Sequence, residues 1–558
     1  MIAIQPQYLS LSSLLDRRLF RIPEYQRAYS WTSHQRQDLY EDIEKTHSKG
    51  SDEGHFMAAV VCLRRKKQIL GTDEFHVVEV VDGQQRLTTL IILLNSIKLA
   101  LDTKNKPEEK LVRELGELLV KVEGDELLLL QTNHDSSHHF ATFLRKGTFQ
   151  PWNTAKTLAD REILKAIEDC QNFVLKWKDT GYTLSSLVAL LKNRLFFILH
   201  EIEDEESVYT VFEVLNSRGL DVSWLDRLKS TLMGAAFVLK HANKPGLIAD
   251  LHVSWRDIYS VIGLRQGLST EALRFAATLR AEEAPSRPLG EEDSVGALRS
   301  KATNGKQIRE IASWLLRVAK SCDTVSANPR VDAVTRISQA RLLATAIYLR
   351  DDIKEKQRDA LLTRWEKICF RIYGMLRNDA RTRVGDYVRL AWRVINENLP
   401  APSIDKAIME IGQEFPIEKA VESLRNQNCY EGWESELRYF MFRYEEHLAK
   451  EQELNFSNEQ WEKIWMVSPA ESIEHIWAKS KAPEKNKHRL GNLVLLPPKL
   501  NSKLNDDSPK DKAEAYRKTG LLIAGQVADM IEGDGWSSKS IENRETALIK
   551  WASAEWAD

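Results

Sequence analysis

The sequence of 558 residues is poor in cysteine, and the cysteines that it has stand far apart. No two of them form a CxxC pair, so the spacing of a zinc ribbon is absent. The lack of a dense cysteine framework also argues against a disulfide-bonded secreted protein and favours a reducing compartment. The five cysteines are Cys62, Cys170, Cys322, Cys369 and Cys429.

The chain also lacks a large net charge and long hydrophobic runs. Its formal charge is -2 at pH 7, so any anionic ligand must be bound by a local patch. The first residues contain no basic segment followed by an apolar core, which predicts that there is no signal peptide. The most apolar stretch, 87–101, is too short and too polar to span a bilayer. We therefore expect a cytoplasmic protein without a membrane partner.

The length suggests about three or four domains, and the residue pattern changes twice along the chain. Residues 1–230 mix strand-like and helical segments, whereas 231–450 repeat apolar residues at helical spacing. Residues 451–558 place short apolar pieces in a background rich in Lys, Asn and Pro. We predict an α+β, predominantly helical protein with an N-terminal α/β domain, a helical middle region and a C-terminal domain at these boundaries.

Polar clusters stand out in the N-terminal region, namely RIPEYQRAYSW (21–31), DGQQR (82–86) and FEVLNSRGLDVSWLDRLKS (212–230). DGQQR follows an apolar run and precedes a helical pattern, which predicts a strand that ends in a glycine turn before a helix. Such a turn offers backbone N–H groups and the positive end of the helix dipole to a phosphate. Arg86 could bind phosphate oxygens, and Asp82 could hold a divalent ion or orient the arginine. Gln84 and Gln85 could bind a base or a ribose.

A structural interpretation of DGQQR is the more common outcome for such a pattern. A strand that turns through Asp-Gly into a helix is frequent, and an arginine near an aspartate usually forms a structural pair. The spacing alone therefore leaves both interpretations open. A P-loop is excluded, because the sequence contains no GxxxxGK[ST] motif.

A second constellation lies in SIEHIWAKSKAPEKNKHRLGNLVLLPPKLNSKLND (472–506). An acid–histidine pair followed by two asparagines is typical of HNH nucleases, which are built on two strands and a helix. His475 would deprotonate the water that attacks phosphorus. Glu474 and Asn501 would hold a divalent ion, and such oxygen ligands favour Mg²⁺ or Mn²⁺. Asn492 would complete the catalytic set by fixing the loop that orients the histidine.

A helical interpretation competes for the same stretch. SPAE (468–471) is a capping box, and an acid–histidine pair on an amphipathic helix is more often a surface feature than a catalyst. Against this, LGNLVLL suits a strand, and 477–518 hold eleven Lys/Arg against five Asp/Glu. That local positive charge would favour a phosphodiester. A second basic stretch, 364–393, could contact DNA, although such arginines more often pair with acids on neighbouring helices.

The N-terminal clusters, in the order IPEYQRAYSW, VVDGQQRLTTL and FEVLNSRG, resemble the N-terminal domain of the GmrSD family of modification-dependent (type IV) restriction proteins, which includes SspE and BrxU. That domain is similar to ParB and sulfiredoxin, and the resemblance covers roughly residues 8–230. This chain departs from the family at HFMAAVV, where relatives carry Phe-Leu-Gly. The resemblance implies a nucleotide site formed by Asp82, Gly83, Gln84, Gln85 and Arg86, with contributions from Tyr25, Gln26, Arg27, Asn216 and Arg218.

The C-terminal pattern IEHI…LGNLVLL…N…N…K resembles the HNH (ββα-metal) domain of the same family over about residues 455–550. His475, Asn492 and Asn501 match its catalytic positions, and Glu474 with Asn501 would bind the metal. Asn505 and Lys512 match further family positions whose roles are unassigned. The chain has HIWAKS where the family often has a proline.

The resemblance implies a DNA endonuclease that depends on, or is regulated by, a nucleoside triphosphate and acts in anti-phage defence by sensing modified DNA. The cofactors would be Mg²⁺ or Mn²⁺ and GTP, UTP or ATP. The partners would be double-stranded DNA, above all modified phage DNA, and a second copy of the chain or other defence components. Two alternatives stay open, a nucleotide-binding sensor that binds modified DNA without cleaving it and a nucleotide-gated toxin that acts on RNA. The Glu474–His475–Asn501 set favours the nuclease over the sensor.

Overall fold

The computed structural model describes the chain except for residues 1–5, 50–53, 122–126, 133–136, 206, 209–210, 212–222, 239–243, 329–330, 332–333, 335, 455–460, 462–463, 466–467 and 505. The chain forms two compact units. The first comprises Met1–Ala277 and Gly290–Lys320, and the second comprises Thr278–Leu289 and Ser321–Asp558. The predicted middle region, 231–450, thus contributes to both units, while the division of functions among three segments stays a prediction.

The first unit contains a six-stranded mixed sheet. Its strands are β1 Gln7–Ser10, β2 Arg18–Ile22, β3 His55–Leu70, β4 Asp73–Asp82, β7 Leu130–Thr132 and β8 Leu195–Ile202, and a separate pair consists of β5 Val120–Lys121 and β6 Leu127–Leu128. The order in the large sheet is β1-β8-β3-β4-β2-β7. The pairs β8–β3, β4–β2 and β2–β7 are parallel, and the pairs β1–β8 and β3–β4 are antiparallel.

Local sequence signals explain the strands that were predicted. The expected hairpin is confirmed by β3 and β4, which are joined at Gly71 and Thr72. Gly71 has φ 61°, a left-handed conformation that glycine adopts without strain. The third expected strand is confirmed by β8. Because β2 and β4 run in parallel, the segments that follow them, 23–31 and 83–86, leave the sheet at the same edge.

Helices make up most of both units, so the predicted fold class, α+β and predominantly helical, is confirmed. The ParB-like and HNH assignments within it stay predictions. The helices of the first unit, two of which extend past its boundary, are Leu11–Leu15, Ser33–Ser48, Gln84–Ala100, Lys106–Leu119, Ser137–Lys146, Leu158–Asp179, Leu184–Arg194, Trp224–Val238, Lys244–Ile262, Gln266–Leu279, Glu291–Ser300 and Gly305–Ala327, with a 3₁₀ turn at Trp152–Thr154. In the described part of the chain, no helix is long and apolar enough to cross a membrane.

The second unit is built from helices and one short two-stranded sheet. The strands are β9 Ile473–His475 and β10 Leu493–Leu495. The helices are Ser338–Tyr348, Glu355–Cys369, Val384–Asn396, Ala401–Gly412, Ile417–Glu422, Glu434–Glu451, Pro469–Ser472, Glu484–Lys487, Pro498–Leu504, Pro509–Arg517, Leu522–Asp534 and Ser538–Glu555, with a π-helical turn at Phe370–Met375 and a 3₁₀ turn at Leu490–Asn492.

Each unit has its own core. In the first unit the helix Gln84–Ala100 is buried on nearly all sides, as expected for a central helix whose sequence is apolar around its whole circumference. In the second unit the core is aromatic, and the Phe440 ring packs against the rings of both Trp551 and Trp556. This packing accounts for part of the high tryptophan content.

Candidate functional sites

The DGQQR segment forms the turn that the sequence predicted. Asp82 ends β4, Gly83 has φ 90° and the helix begins at Gln84. A Cβ atom at position 83 would lie 3.1 Å from Cγ2 of Val60. A residue with a side chain would also have to adopt a backbone conformation that L-residues avoid. The glycine is therefore required by the turn itself.

The two glutamines of this segment hold the loop that follows β2. Oε1 of Gln85 accepts a hydrogen bond from the Ser30 amide at 2.8 Å, and its Nε2 donates to the Ala28 carbonyl at 3.1 Å. Nε2 of Gln84 donates to the Arg27 carbonyl at 3.2 Å, while its Oε1 is buried and has no hydrogen-bond partner among the residues that the structure describes. The structure thus gives both side chains a positioning role, and their contact with a base or a ribose stays a prediction.

Arg27, Arg86 and Asp82 lie near this helix N-terminus and form no ion pairs within the described residues. Within the described residues, Arg27 and Arg86 form no ion pair with a carboxylate, although both lie near enough to Asp82 to lower its pKa. Burial outweighs them, so the pKa of Asp82 is raised overall. Burial also lowers the pKa of Arg86, against the opposing effects of Asp82 and Asp42. Two unpaired guanidinium groups beside a helix N-terminus make an arrangement that suits phosphate.

Tyr25 and Gln26 are packed against residues that the sequence analysis did not select. The Tyr25 ring stacks on His252 with the ring centres 3.9 Å apart. Nε2 of Gln26 donates to the Val81 carbonyl, and its Oε1 accepts from Nζ of the buried Lys229 at 3.3 Å. Nζ of Lys229 also donates to the Tyr25 carbonyl at 2.7 Å. Lys229 therefore fixes the loop that carries Arg27.

Burial of this lysine has an electrostatic consequence. Desolvation lowers the pKa of Lys229 to about 7, although Asp226 opposes the shift. Burial, together with the nearby Lys229 and Arg65, lowers the pKa of His252 to about 4. Lys229 belongs to the third polar cluster, so a signal for it was present in LDRLKS. The residues predicted from that cluster, Asn216 and Arg218, lie outside the described residues.

The second candidate site is built on β9, β10 and the helix Pro498–Leu504. His475 ends β9 and pairs with Leu493 of β10. The helical interpretation of SIEHIWAKS is wrong, because the helix begun by the SPAE capping signal stops at Ser472. The chain then becomes extended, since strand pairing with β10 satisfies its backbone groups.

Asn492 closes the loop between the two strands. Its Nδ2 donates to the carbonyls of Trp477 and Lys487 at 3.1 and 3.0 Å, and its Oδ1 accepts from the Trp477 amide at 2.9 Å and from Nε1 of Trp536. All these contacts go to other protein groups, so Asn492 has the contacts of a positioning residue.

The helix Ser538–Glu555 supports β10 from behind. Nη1 of the buried Arg544 donates to the carbonyls of Gly491 and Leu493 at 2.9 and 2.8 Å. A Cβ atom at Gly491 would overlap the Ile541 carbonyl oxygen, so the LGN segment needs glycine for close contact with this helix. Rigid support of this kind fixes the position of β9 and hence of His475.

The His475 ring is buried among aromatic and basic groups. Its Nε2 lies 3.0 Å from Nδ1 of His488. The His475 and Tyr430 rings form a T-shaped pair with their centres 4.7 Å apart. Burial lowers the pKa of His475 to about 2, and Lys479 and His488 add to the effect. His475 is therefore neutral at physiological pH, which is the form that can accept a proton.

Glu474, on the same strand, forms a buried ion pair. Its Oε1 accepts from Nζ of Lys512 at 2.5 Å and from the Tyr516 hydroxyl at 3.2 Å. Nζ of Lys512 also donates to the His475 carbonyl at 3.0 Å. Burial raises the pKa of Glu474, and Lys512 opposes the shift. Lys512, a family position without an assigned role, thus ties Glu474 and His475 to the helix Pro509–Arg517.

The two predicted metal ligands both make contacts within the protein. Nδ2 of Asn501 donates to the carbonyls of Glu471 and Ile473 at 2.9 and 3.2 Å, which leaves Oδ1 as its candidate ligand atom. Glu474 already holds a cation, the Lys512 ammonium. Among the described residues, no group of three or more His, Cys, Asp or Glu side chains is placed to hold a metal ion. Asn505 lies outside the described residues.

The basic stretch 364–393 is largely neutralised by acids. Arg383 pairs with Asp386 and Glu414, and Arg389 pairs with Asp386. Other pairs of this stretch are Arg364–Asp405, Arg371–Asp558 and Arg393–Glu397. The structural interpretation of these arginines is therefore the one that the geometry supports.

Comparison with known families assigns both ends of the chain. Residues 11–233 match the model of the GmrSD restriction endonuclease N-terminal domain. Residues 416–551 match the model of the GmrSD restriction endonuclease C-terminal domain. A search of the curated proteins found no match. Because two domain models of one family match in order and together span more than half of the chain, the protein belongs to the GmrSD family of restriction endonucleases.

Proposed function

We propose that the second unit cleaves DNA by phosphodiester hydrolysis, with His475 as the general base. The observation that carries the proposal is the arrangement of His475 on a two-stranded sheet whose connecting loop is closed by Asn492. The family assignment supports a nuclease that acts on DNA. A neutral imidazole at the end of β9 can take a proton from water, and the negative charge of bound DNA would raise its low pKa.

The surroundings of His475 are suited to a polyanion. Lys479 and Lys487 are close enough to lower the pKa of the histidine, and both belong to the basic segment 477–518. A local excess of positive charge attracts a phosphodiester backbone and makes binding dependent on salt. Cleavage by this unit should therefore weaken as the salt concentration rises.

Mg²⁺ or Mn²⁺ is the cofactor proposed from the family resemblance, and the residues present fit it only in part. Oδ1 of Asn501 is an oxygen donor of the kind that such ions prefer. Glu474 fits less well, because the Lys512 ammonium already occupies Oε1 and would repel a second cation. When bound, the ion would stabilise negative charge on the phosphate. The residues of the chain position the phosphate and His475.

In the first unit we propose a site for GTP, UTP or ATP at the DGQQR turn. The support is the pair of guanidinium groups, Arg27 and Arg86, that form no ion pair with any described carboxylate near the N-terminus of the helix Gln84–Ala100. Arg86 lies 5.5 Å from the Trp31 ring centre, so an aromatic surface adjoins the charge. Nucleotide bound here would regulate or drive cleavage.

The biological role that we propose is defence against phage through the recognition of modified DNA. A second candidate function keeps the nucleotide site but makes the C-terminal unit a sensor that binds modified DNA without cleaving it. The observation that favours this second candidate is the ion pair of Glu474 with Lys512, which gives a predicted metal ligand a cation from the protein itself.

The test is the cleavage of supercoiled plasmid and of modified and unmodified phage DNA, with Mg²⁺ or with EDTA, and with or without each triphosphate. Wild type is compared with His475→Ala, and His34→Ala serves as the control because His34 is exposed in the first unit. We expect cleavage by wild type and by the control but not by His475→Ala. Equal cleavage by His475→Ala would contradict the assignment of the base. Binding of modified DNA without any cleavage would establish the sensor instead.

A further inference from the structure

His488 stands beside the proposed general base and was not selected by any sequence motif. Its Nδ1 lies 3.0 Å from Nε2 of His475, and the two rings meet nearly at right angles. At this distance the two ring nitrogens can share one hydrogen bond, in which one nitrogen donates its proton and the other accepts it.

Three contacts join His488 to the loop 428–431. The Cys429 amide donates to the His488 backbone carbonyl at 2.8 Å. The Tyr430 ring stacks on the imidazole, with an interplanar angle of 9°. Oε1 of Glu431 lies 3.8 Å from Nε2 of His488. The loop thus lies against both the backbone and the ring of His488.

The carboxylate of Glu431 is itself positioned. Its Oε2 accepts from Nδ2 of Asn428 at 2.9 Å, and Oδ1 of Asn428 accepts from the backbone amides of Tyr430 and Glu431 at 3.0 Å. This turn points Oε1 of Glu431 toward His488. The carboxylate attracts the imidazole proton to Nε2 of His488, which leaves Nδ1 of that ring as an acceptor.

These contacts favour one tautomer of His475. If Nδ1 of His488 accepts, then Nε2 of His475 must carry the proton and donate it across the 3.0 Å contact. Nδ1 of His475 then carries the lone pair. Within the described residues no hydrogen bond occupies that nitrogen, so it is the atom that would take the proton from water. In the series Glu431–His488–His475, a carboxylate would set the tautomer of the histidine through a second imidazole, as a carboxylate does directly in other proteins.

We propose that His488 is a positioning residue that holds His475 in the tautomer with its lone pair on Nδ1, and that Glu431 supports His488 in this role. The inference rests on the proposed function, since it assigns a role relative to the proposed base. It requires no chemical step by His488, whose proton stays on Nε2.

Two substitutions of matched shape test the proposal. His488→Phe keeps an aromatic ring against Tyr430 but removes the acceptor, whereas His488→Asn places Oδ1 near the former position of Nδ1. In plasmid nicking with purified full-length protein, we expect His488→Phe to lower kcat about 10- to 100-fold with little change in KM for DNA. His488→Asn should recover most of that loss. Glu431→Gln should lower kcat by about fivefold at most, because the pair is partly exposed.

Further measurements separate this role from a purely structural one. Thermal unfolding should show His488→Phe and His488→Asn to be about equally stable. In NMR spectra of protein labelled with ¹⁵N-histidine, the signals that disappear in His475→Ala are those of His475. In wild type these signals should show a protonated Nε2 and an unprotonated Nδ1. An unprotonated Nε2, or full kcat in His488→Phe, would overturn the proposal. If instead His475→Ala cleaves as well as wild type, the proposed base itself is wrong, which is a different result.

Discussion

Each unit buries a lysine beside its candidate site, and the two lysines are held in different ways. Lys229 in the first unit is 3% exposed and donates to a backbone carbonyl and an amide oxygen, and it has no ion pair with a described carboxylate. Lys512 in the second unit is 0% exposed and lies 2.5 Å from a carboxylate oxygen of Glu474. Lack of a counterion is why burial can lower the pKa of Lys229 to about 7.

The difference lies in whether the buried lysine of each site has its charge balanced by a carboxylate. In the second unit Lys512 and Glu474 balance one another's buried charge, so this part of the frame around His475 is complete without a ligand. In the first unit Lys229, Arg27 and Arg86 all stand without paired carboxylates in the described residues, and both arginines interact electrostatically with Asp82. Negative charge brought by a ligand would complete that site. The four predictions below test this contrast.

The largest effect is expected from His475→Ala. Loss of the general base should lower the rate of DNA cleavage by about 10²- to 10⁴-fold, while the affinity for nucleotide stays unchanged because the nucleotide site lies in the first unit. Cleavage rates and nucleotide affinity would be measured on the same preparation. A parallel loss of both properties would mean that the two sites do not act through separate residues.

Lys512→Met tests the balanced pair of the second unit. Removal of one partner leaves the buried Glu474 charge uncompensated, which we expect to lower the free energy of unfolding by about 3–5 kcal/mol. The double variant Glu474→Gln with Lys512→Met should regain much of this loss. Chemical denaturation followed by tryptophan fluorescence measures both.

DNA cleavage by the double variant separates a structural role of Glu474 from a role in the reaction. A stable double variant that cleaves DNA would show that Glu474 serves the frame alone. A stable double variant without cleavage would assign Glu474 a part in the reaction, as a metal ligand would have. An unchanged unfolding free energy in Lys512→Met would contradict the structural role of the pair.

Arg86→Ala tests the unbalanced site of the first unit. Removal of a charged hydrogen-bond donor to phosphate should weaken triphosphate binding by about 1.5–3 kcal/mol, roughly 10- to 100-fold, and abolish nucleotide hydrolysis without loss of the fold. Arg113→Ala is the matched control, because Arg113 is exposed and pairs with Glu109. Isothermal titration measures affinity in both variants. Full hydrolysis by a well-folded Arg86→Ala protein would contradict the site.

The sequence predicted features that depend on neighbouring residues. The hairpin of β3 and β4, the glycine turn at Gly83 and the strand β8 each follow from local patterns of apolar and turn residues. SPAE does start a helix after Ser468, but Ser468 forms no side-chain cap hydrogen bond and the helix ends at Ser472. Pairing of β9 with β10 overrides helical preference beyond it.

The sequence could not predict contacts between distant segments. Lys229 bonds to a carbonyl 204 residues away, and no local pattern marks that partner. Lys512 matches a family position, yet no local pattern marks its contact with Glu474, 38 residues earlier. His488 looked like one basic residue among several lysines, and its contact with His475 depends on how the loop between β9 and β10 folds back. Such roles are set by tertiary structure.

The pH dependence of stability tests the state of Lys229 and gives the smallest effect. The pKa of Lys229 is about 7 in the folded protein and about 10.4 in an unfolded chain. Between these values the unfolded chain binds more protons than the folded one, so the free energy of unfolding rises with pH. From pH 7.5 to 8.5 the gain attributable to Lys229 should approach about 1.4 kcal/mol. Lys229→Met lacks this group, so the difference between wild type and variant isolates the contribution. A difference that stays flat over this range would show that Lys229 keeps its proton when folded, and that its carbonyl partners stabilise the charge as well as a carboxylate would.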